Sequence, residues 1–228
     1  MTLPDPLRLV IFDVDGTLVD SQDFIVAAMD RAFGVVGLAA PPRAATLGIV
    51  GLSLPQAMMA LIPGADAATV EGLVHHYKES FIEIRRQTGG EAQAPFYPGA
   101  RDAIERLDRS GWLLSIATGK ARRGLDHMLD SHGLRRFFTG TQTADDAPSK
   151  PHPGMVLNCL AATGVAAHRA VMVGDTEFDI AMARAAGARA VGVAWGYHPR
   201  ERLVAAGAEA IVEDFAALDA ALAALTAA

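Results

Sequence analysis

An uninterrupted apolar run near the amino terminus, residues 9–12, ends abruptly in Asp13, Val14, Asp15 and Gly16. A short run of this kind is typical of a parallel strand that is buried on both faces. Because side chains alternate along a strand, Asp13 and Asp15 leave it on one face and Val14 on the other. Gly16 then permits a sharp turn. The run therefore predicts a parallel α/β sheet with two carboxylates at the carboxyl end of one strand.

The two carboxylates repel each other unless something lies between them. At about 4 Å and an effective dielectric constant near 20, the repulsion of two unit charges is roughly 4 kcal/mol. A cation, a shared proton or water would relieve this repulsion, and a divalent metal ion is the simplest of the three.

Composition limits the partners of the chain. Of its 228 residues, 51% are hydrophobic and 20% are charged, which excludes a disordered chain and supplies a large core. The net charge of −6 argues against nucleic acid as a partner, because a phosphate backbone requires a basic face. Cys159 is the only cysteine, so an intramolecular disulfide is excluded. No apolar stretch approaches ~20 residues, and residues 1–6 lack the order of a signal peptide, so we expect a cytoplasmic protein with no membrane partner.

Residues 19–95 show helical periodicity and no β-rich run. A first helix is predicted by apolar residues at helical spacing, which are Phe24, Ile25, Ala28, Met29, Ala32 and Phe33. Two further helices are predicted near 54–61 and 67–87. A purely helical segment between a first strand and a later alternation of strands and helices is typical of an inserted domain. We therefore predict a helical cap domain at 19–95 and an α/β core domain at 1–18 and 96–228.

Alternating strands and helices make up the rest of the chain. Strands are predicted at 112–117, 170–173 and 189–194, with a weak strand at 137–140. This alternation predicts a Rossmann-like parallel sheet with helices on both faces. Ligands of such sheets bind outside the carboxyl ends of the strands.

Polar residues stand where the predicted strands end. Thr118 and Gly119 follow the strand at 112–117, where a hydroxyl and free amides at a helix start could hold a phosphoryl oxygen, although helix capping explains Thr118 as well. Lys120 could reach the mouth of the predicted site, but it is interpreted as a surface lysine of the first turn. Lys150 lies in a proline-rich loop, which fixes the direction of its ammonium group unless the side chain is simply solvated.

Asp175 and Asp179 follow the strand at 170–173. Two carboxylates at a strand-to-helix junction offer the hard oxygen ligands that Mg²⁺ requires, or they cap the helix through its macrodipole. The run at 195–198 is interpreted as packing, and the basic residues within 75–86 as a solvated helix face.

Taken in order, these motifs resemble those of the haloacid dehalogenase-like hydrolases, in particular the phosphoglycolate phosphatase-like members. Residues 13–21, with the sequence Asp-Val-Asp-Gly-Thr-Leu-Val-Asp-Ser, resemble the first motif. Thr118 resembles the second motif, Lys150 the third, and residues 174–179 the fourth. Residues 195–198 resemble a family stretch that follows the fifth strand, although packing is the preferred interpretation for them. The resemblance spans essentially the whole predicted core, and it implies that residues 19–95 cover an active site.

The resemblance implies a magnesium-dependent phosphatase that works through an aspartyl-phosphate. Asp13 would attack phosphorus, and Asp15 would protonate the leaving alkoxide and later deprotonate water. The implied catalytic residues are Asp13, Asp15, Thr118 and Lys150. The implied ligands of Mg²⁺ are Asp13, Asp15 through its carbonyl group, and Asp175. Asp179 is implied to support these ligands without binding the ion itself.

The implied substrate is a small soluble phosphomonoester, such as phosphoglycolate or a sugar phosphate. Thr118, Gly119 and Lys150 would bind its phosphoryl group. From the cap we expect Arg43 and the turn at 48–53 to meet the substrate, because a guanidinium can clamp an anionic group. Cap closure of this kind would leave a small, dry chamber.

Other functions of the same fold are weighed against this one. A phosphomutase would use the same core, because only cap closure decides whether water or a sugar hydroxyl accepts the phosphoryl group. A dehalogenase is disfavoured by Asp15, which the dehalogenases of the family lack. A phosphonatase is disfavoured because residues 20–42 contain no lysine. A non-catalytic regulator is disfavoured because all motif residues are retained. The chain is expected to be a monomer or a homodimer.

Overall fold

A computed structural model describes residues 7–88 and 94–227 of the chain. The expectation that no signal peptide is present depends on residues 1–6. These residues lie outside the described part of the chain. The part of the predicted cap at 89–93 also lies outside it. Among the described helices, none combines the length and the apolar character needed to cross a bilayer.

Six parallel strands form one sheet. They are β1 (Leu9–Phe12), β2 (Leu113–Ala117), β3 (Gly140–Gln142), β4 (Ala170–Gly174), β5 (Arg189–Val193) and β6 (Ala210–Val212). Their spatial order is β3-β2-β1-β4-β5-β6. β1 is central, with Leu9 beside Leu113 of β2 and Ala170 of β4. The predicted parallel sheet is confirmed.

The described part of the segment between β1 and the rest of the sheet contains four helices. They are α1 (Gln22–Val36), α2 (Arg43–Leu47), α3 (Leu54–Leu61) and α4 (Ala67–Thr88). The six apolar residues predicted to recur along α1 are all buried. Phe24, Met58 and Leu73 belong to an apolar cluster that, among the described residues, includes none from the sheet. The helices predicted near 54–61 and 67–87 are confirmed, and α2 is an additional short helix.

Six further helices cover the two faces of the sheet. They are α5 (Ala100–Arg109), α6 (Arg122–Ser131), α7 (Gly154–Thr163), α8 (Glu177–Ala185), α9 (Arg200–Ala205) and α10 (Leu218–Thr226). Val10 and Phe12 belong to an apolar cluster with α5, α6 and α10, whereas Leu9 and Ile11 belong to a second cluster with α7, α8 and α9. Since β1 is covered on both faces, every position of its run is apolar.

The weak strand predicted at 137–140 is wrong in its position. Arg135–Phe137 form a short 3-10 helix, and β3 begins after it. Phe137 and Phe138 are partly buried against the apolar cluster beside α5 and α6. These two rings give the stretch its apolar character without a strand.

The two connections between the helical segment and the sheet run side by side. Val19 and Phe96 form an antiparallel bridge. A backbone hydrogen bond from Asp20 N to Pro95 O measures 2.8 Å. Both connections therefore lie close to the end of β1, where Asp13 and Asp15 emerge.

Candidate active site

Asp13 directly follows β1 and is almost fully buried, with 1% of its surface exposed. Its amide donates to Val173 O at 3.0 Å, which continues the contact with β4 beyond the end of β1. Its Oδ2 atom lies 3.0 Å from Lys150 Nζ. Its Oδ1 atom is buried and has no hydrogen-bond partner among the described residues. Asp13 therefore has one unsatisfied carboxylate oxygen at the centre of the sheet edge.

Asp15 has different partners from Asp13. Its carboxylate accepts hydrogen bonds from Lys120 Nζ at 2.7 and 2.8 Å and from Ser21 Oγ at 2.7 Å. The same Ser21 oxygen lies 3.1 Å from the hydroxyl oxygen of Tyr197. The two carboxylates that follow β1 thus have separate cationic partners, Lys150 for Asp13 and Lys120 for Asp15.

Lys150 is completely buried, so it is not a solvated loop lysine. Its Nζ atom lies 2.6 Å from Asp179 Oδ1 and 3.0 Å from Asp13 Oδ2. Burial alone would lower the pKa of Lys150, but the carboxylates of Asp13 and Asp179 reverse this effect and hold its pKa above the ordinary value. Lys150 therefore carries a fixed positive charge between two carboxylates.

Asp179 connects this ion pair to the beginning of α8. Its Oδ2 atom accepts hydrogen bonds from the Thr176 amide at 3.0 Å and from the Thr176 hydroxyl at 2.7 Å. Together with the Thr176 hydroxyl facing the Asp179 amide, these contacts form a capping box. Helix capping by Asp179 is confirmed, and the other oxygen of the same carboxylate holds Lys150.

Asp175 is buried after β4 and packs between two glycines. Its Oδ1 atom accepts a hydrogen bond from Thr17 Oγ1 at 2.8 Å, and its Oδ2 atom accepts one from Tyr197 N at 2.9 Å. A Cβ atom on Gly16, whose φ is +88°, would lie 2.2 Å from Asp175 Oδ2, and one on Gly196 would lie 2.0 Å from Asp175 Cβ. Gly196 and Tyr197 belong to the run for which packing is preferred over its resemblance to a family stretch, and both contact Asp175. Their position after β5, at the same sheet edge, is the signal that could have identified them.

Asp13, Asp175 and Asp179 form a buried acidic cluster, in which one oxygen of each carboxylate lies within 4.8 Å of the others. Burial raises the pKa of Asp13 to about 7, an effect that Lys150 opposes and that Asp179 and Asp15 reinforce. Burial, followed by the charges of Asp179 and Asp13, also raises the pKa of Asp175 well above its ordinary value. The ammonium of Lys150 cannot neutralise three carboxylates. A divalent cation that prefers hard oxygen ligands, such as Mg²⁺, fits this set of donors.

Thr118, Gly119 and Lys120 follow β2 at the same sheet edge. Thr118 is buried. A Cβ atom on Gly119 would lie 2.5 Å from Gly51 O, so glycine permits the close approach of the turn at 48–53. The Lys120 side chain is only 15% exposed, and its Nζ atom lies 5.5 Å from the ring centre of Phe81. The interpretation of Lys120 as a surface lysine is wrong, because Asp15 binds its ammonium and α4 covers it.

Arg43 lies away from the other predicted site residues. Its guanidinium donates hydrogen bonds of 2.7 Å to Asp23 Oδ1 and to Gln22 Oε1, and its side chain is 47% exposed. The expectation that Arg43 meets the substrate stays a prediction, and its contacts with acceptors in the first turn of α1, near solvent, do not support it.

The turn at 48–53 does reach the core. His198 Nε2 lies 3.1 Å from Gly48 O, and Ser53 N donates to Ser149 Oγ at 2.7 Å. The helical segment therefore contacts the core beside both the run after β5 and the loop that contains Lys150.

A cavity of about 760 Å³ lies between the helical segment and the sheet edge. The predicted site residues that line it are Asp13, Asp15, Thr118 and Gly119, together with Lys120. Helix α4 contributes Lys78, Arg85 and Arg86. The interpretation of these basic residues as mostly a solvated face is therefore incomplete, because α4 brings two arginines and a lysine to the cavity wall.

The chain is similar in sequence and in structure to known hydrolases and phosphatases. The family model for haloacid dehalogenase-like hydrolases matches residues 10–193. A protein of Dickeya dadantii (strain 3937) named "Probable phosphatase IndB" is 36% identical over 210 residues, which cover 91% of this chain and 90% of that protein. A phosphoglycolate phosphatase of Pseudomonas fluorescens (strain Pf0-1) is 29% identical over 210 residues, which cover 91% and 76%. A solved hydrolase structure from Pseudomonas syringae is similar with a TM-score of 0.84 at 25% identity, covering 96% of this chain and all (100%) of that one.

Proposed function

The chain belongs to the haloacid dehalogenase-like hydrolase family, and on this basis we propose that it hydrolyses small soluble phosphomonoesters through an aspartyl-phosphate, with Mg²⁺ as its cofactor. The strongest support is the contact of Asp13 with the buried Lys150 at 3.0 Å, while the other oxygen of Asp13 has no partner among the described residues. Phosphoryl transfer depends on positioning and charge neutralisation more than on a strong nucleophile. A carboxylate held in this way is therefore suited to attack phosphorus.

Asp13 attacks through its unpartnered oxygen. A bond forms between this oxygen and phosphorus, and the ester bond breaks with its electron pair going to the leaving alkoxide. Lys150 neutralises charge beside Asp13, while the Thr118 hydroxyl and the Gly119 amide bind phosphoryl oxygens. Water then attacks phosphorus, which releases phosphate and regenerates Asp13.

Asp15 moves the protons of both steps. It lines the same cavity as Asp13. It gives a proton to the leaving alkoxide and takes one from the attacking water. Ser21 and Lys120 hold its carboxylate, so these two residues set where the proton is delivered.

Mg²⁺, when bound, supplies charge neutralisation at the phosphoryl oxygens. Asp13, Asp175 and the carbonyl group of Asp15 would hold it, and Asp179 acts by fixing Lys150. The division into a cap at 19–95 and a core at 1–18 and 96–228 belongs to this proposal, and the adjacent connections at Val19 and Phe96 support it.

We expect Mg²⁺ to raise the melting temperature of the protein, and to do so more above about pH 7 than below it. In the metal-free protein the pKa of Asp13 rises from 3.8 to about 7. The folded protein thus holds the Asp13 proton more tightly than the unfolded chain does. The stability that this proton contributes is therefore complete below about pH 4 and is lost as the pH rises through about 7. Because metal ligands must be ionised and burial raises the pKa of Asp175 as well, the apparent affinity for Mg²⁺ should fall by at least about tenfold for each pH unit below about 7.

Thermal unfolding with and without Mg²⁺, measured across this pH range, tests the metal assignment. Asp102→Asn, which neutralises an exposed carboxylate of α5, is the control and should respond to Mg²⁺ as the unmodified chain does. Full phosphatase activity after EDTA treatment would contradict the metal assignment. Release of inorganic phosphate, as opposed to transfer to a sugar hydroxyl, separates a phosphatase from a phosphomutase.

We expect Lys120→Met to lower kcat/KM by about 10- to 100-fold. The substitution removes the cation that lies 2.7 Å from Asp15, so that Ser21 alone is left to position this carboxylate. Lys120→Arg keeps the charge and should retain more activity than Lys120→Met. Equal kcat/KM values for Lys120→Met and the unmodified chain would show that Lys120 does not position Asp15.

A further inference from the structure

The cavity is larger than a two-carbon leaving group requires, and this observation deepens the proposed function, on which it rests. Its volume of about 760 Å³ falls within the range of roughly 300–1,000 Å³ that is typical of pockets for drug-sized ligands. Asp13, Asp15 and Thr118 supply only the catalytic part of the wall. The glycolate group of phosphoglycolate would leave most of the remaining space unfilled.

The wall supplied by the helical segment is mainly apolar. Met29, Leu54, Phe81 and Ile82 are among the residues that line it. The Phe81 ring lies 5.9 Å from the Tyr77 ring, and Ile82 is 46% exposed although it is aliphatic. Covering such a wall is favourable by roughly 25 cal/mol for each Å² of apolar surface removed from water. The wall therefore suits a substrate with an apolar ring.

The polar side chains of this wall are hydrogen-bond donors. Among the described residues of the helical segment, those that line the cavity with polar side chains are Tyr77, Lys78, Arg85 and Arg86. Lysine and arginine can only donate, and only the tyrosine hydroxyl can also accept. A sugar needs acceptors for its hydroxyl protons and finds few on this wall. A ring with carbonyl, ring-nitrogen or acidic acceptor atoms matches the donors.

Small residues leave room on the core side of the cavity. Ala121 and Gly124 line it at the beginning of α6, and Arg123 adds another donor. A Cβ atom on Gly124 would lie 3.2 Å from Lys120 Cγ, so even alanine would crowd the Lys120 side chain here. Glycine at position 124 therefore accommodates the Lys120 side chain beside the cavity.

We infer that the substrate is a phosphomonoester whose leaving group contains an aromatic or heteroaromatic ring with hydrogen-bond acceptors. Glycolate and simple sugars lack the apolar ring that the wall supplied by the helical segment would cover.

The first test compares phenethyl phosphate with ethyl phosphate in the presence of Mg²⁺. Both are alkyl esters, so their leaving alcohols differ little in acidity and the ring is the main difference. We expect kcat/KM to be about 10- to 100-fold higher for phenethyl phosphate. A ratio near one, or a higher kcat/KM for phosphoglycolate than for phenethyl phosphate, would overturn the inference.

Variants at Ile82 of α4 test whether the apolar wall causes the preference for phenethyl phosphate over ethyl phosphate. Ile82→Asp places a charge in the apolar wall and should bring the ratio of the two kcat/KM values close to one, while Ile82→Ala should lower it less. Met59→Asp is the matched control, because Met59 is a 52% exposed aliphatic residue of α3 that does not line the cavity. An equal loss of the ratio in Met59→Asp would assign the effect to a general change in the helical segment and overturn the inference.

Binding without turnover separates this inference from the proposed function. Calorimetry with Asp13→Asn protein measures the affinity for the same two esters when the nucleophile is absent. Tighter binding of phenethyl phosphate supports the inference even if the unmodified chain hydrolyses neither ester, a result that would overturn only the proposed function. Equal binding of both esters overturns the inference even if both are hydrolysed.

Discussion

Asp13→Asn lowers turnover by more than about a thousandfold, while the metal-free protein stays folded and is at least as stable as the unmodified chain. Turnover is lost because an amide cannot form the acyl-phosphate bond. Stability is kept because asparagine has the same shape and cannot ionise, whereas the pKa of Asp13 is raised to about 7 by burial. Lys150 keeps its 2.6 Å contact with Asp179 in the variant.

Two measurements check this result for Asp13→Asn. The first is the rate of phosphate release with Mg²⁺, and the second is the melting temperature in EDTA above about pH 7, where the ionised carboxylate is most costly. Asp102→Asn, at an exposed position of α5, controls for the loss of one negative charge. If Asp13→Asn retains more than about a thousandth of the original rate, Asp13 is not the nucleophile.

Lys150→Met lowers the free energy of unfolding by about 3–5 kcal/mol and abolishes turnover. The substitution removes the ammonium between Asp13 and Asp179 and leaves their charges uncompensated in a buried site. Urea denaturation in EDTA measures the change. Lys78→Met, at an exposed position of α4, should change the free energy of unfolding by less than about 0.5 kcal/mol.

A double variant tests the cause of this instability. If repulsion between buried carboxylates is responsible, Lys150→Met combined with Asp179→Asn should lose less stability than the sum of the two single variants. Additive losses would instead assign the effect of Lys150→Met to packing. Turnover should stay absent in the double variant in either case, since the positive charge beside Asp13 is not restored.

The elements of this fold that depend on local patterns could be predicted from the sequence. The uninterrupted apolar run at residues 9–12 predicts a strand covered on both faces, and helical spacing predicts the buried side of α1. The acids after β4 and the threonine after β2 could be predicted as neighbours, because parallel strands end at one edge of the sheet.

Contacts between distant parts of the chain could not be predicted in the same way. Lys120 and Asp15 are 105 positions apart, and although they follow neighbouring strands, the sequence does not show that their side chains form an ion pair. Arg43 has the residue type expected for an anion site, but acceptors in α1 bind its guanidinium. A single sequence does not contain the orientation of one helix against another, so the partner of a long cationic side chain has to be observed.

The capping box at the beginning of α8 has a consequence for how variants of this enzyme are interpreted. One oxygen of Asp179 binds the two Thr176 donors, and the other binds Lys150 at 2.6 Å. One side chain therefore both caps α8 and holds the ammonium of Lys150 beside Asp13. A rate measured for an Asp179 variant therefore depends both on the fraction of molecules that are folded and on the turnover rate of the folded molecules. Only normalisation to the fraction of native protein, obtained independently at the assay temperature, assigns such a rate to the reaction itself.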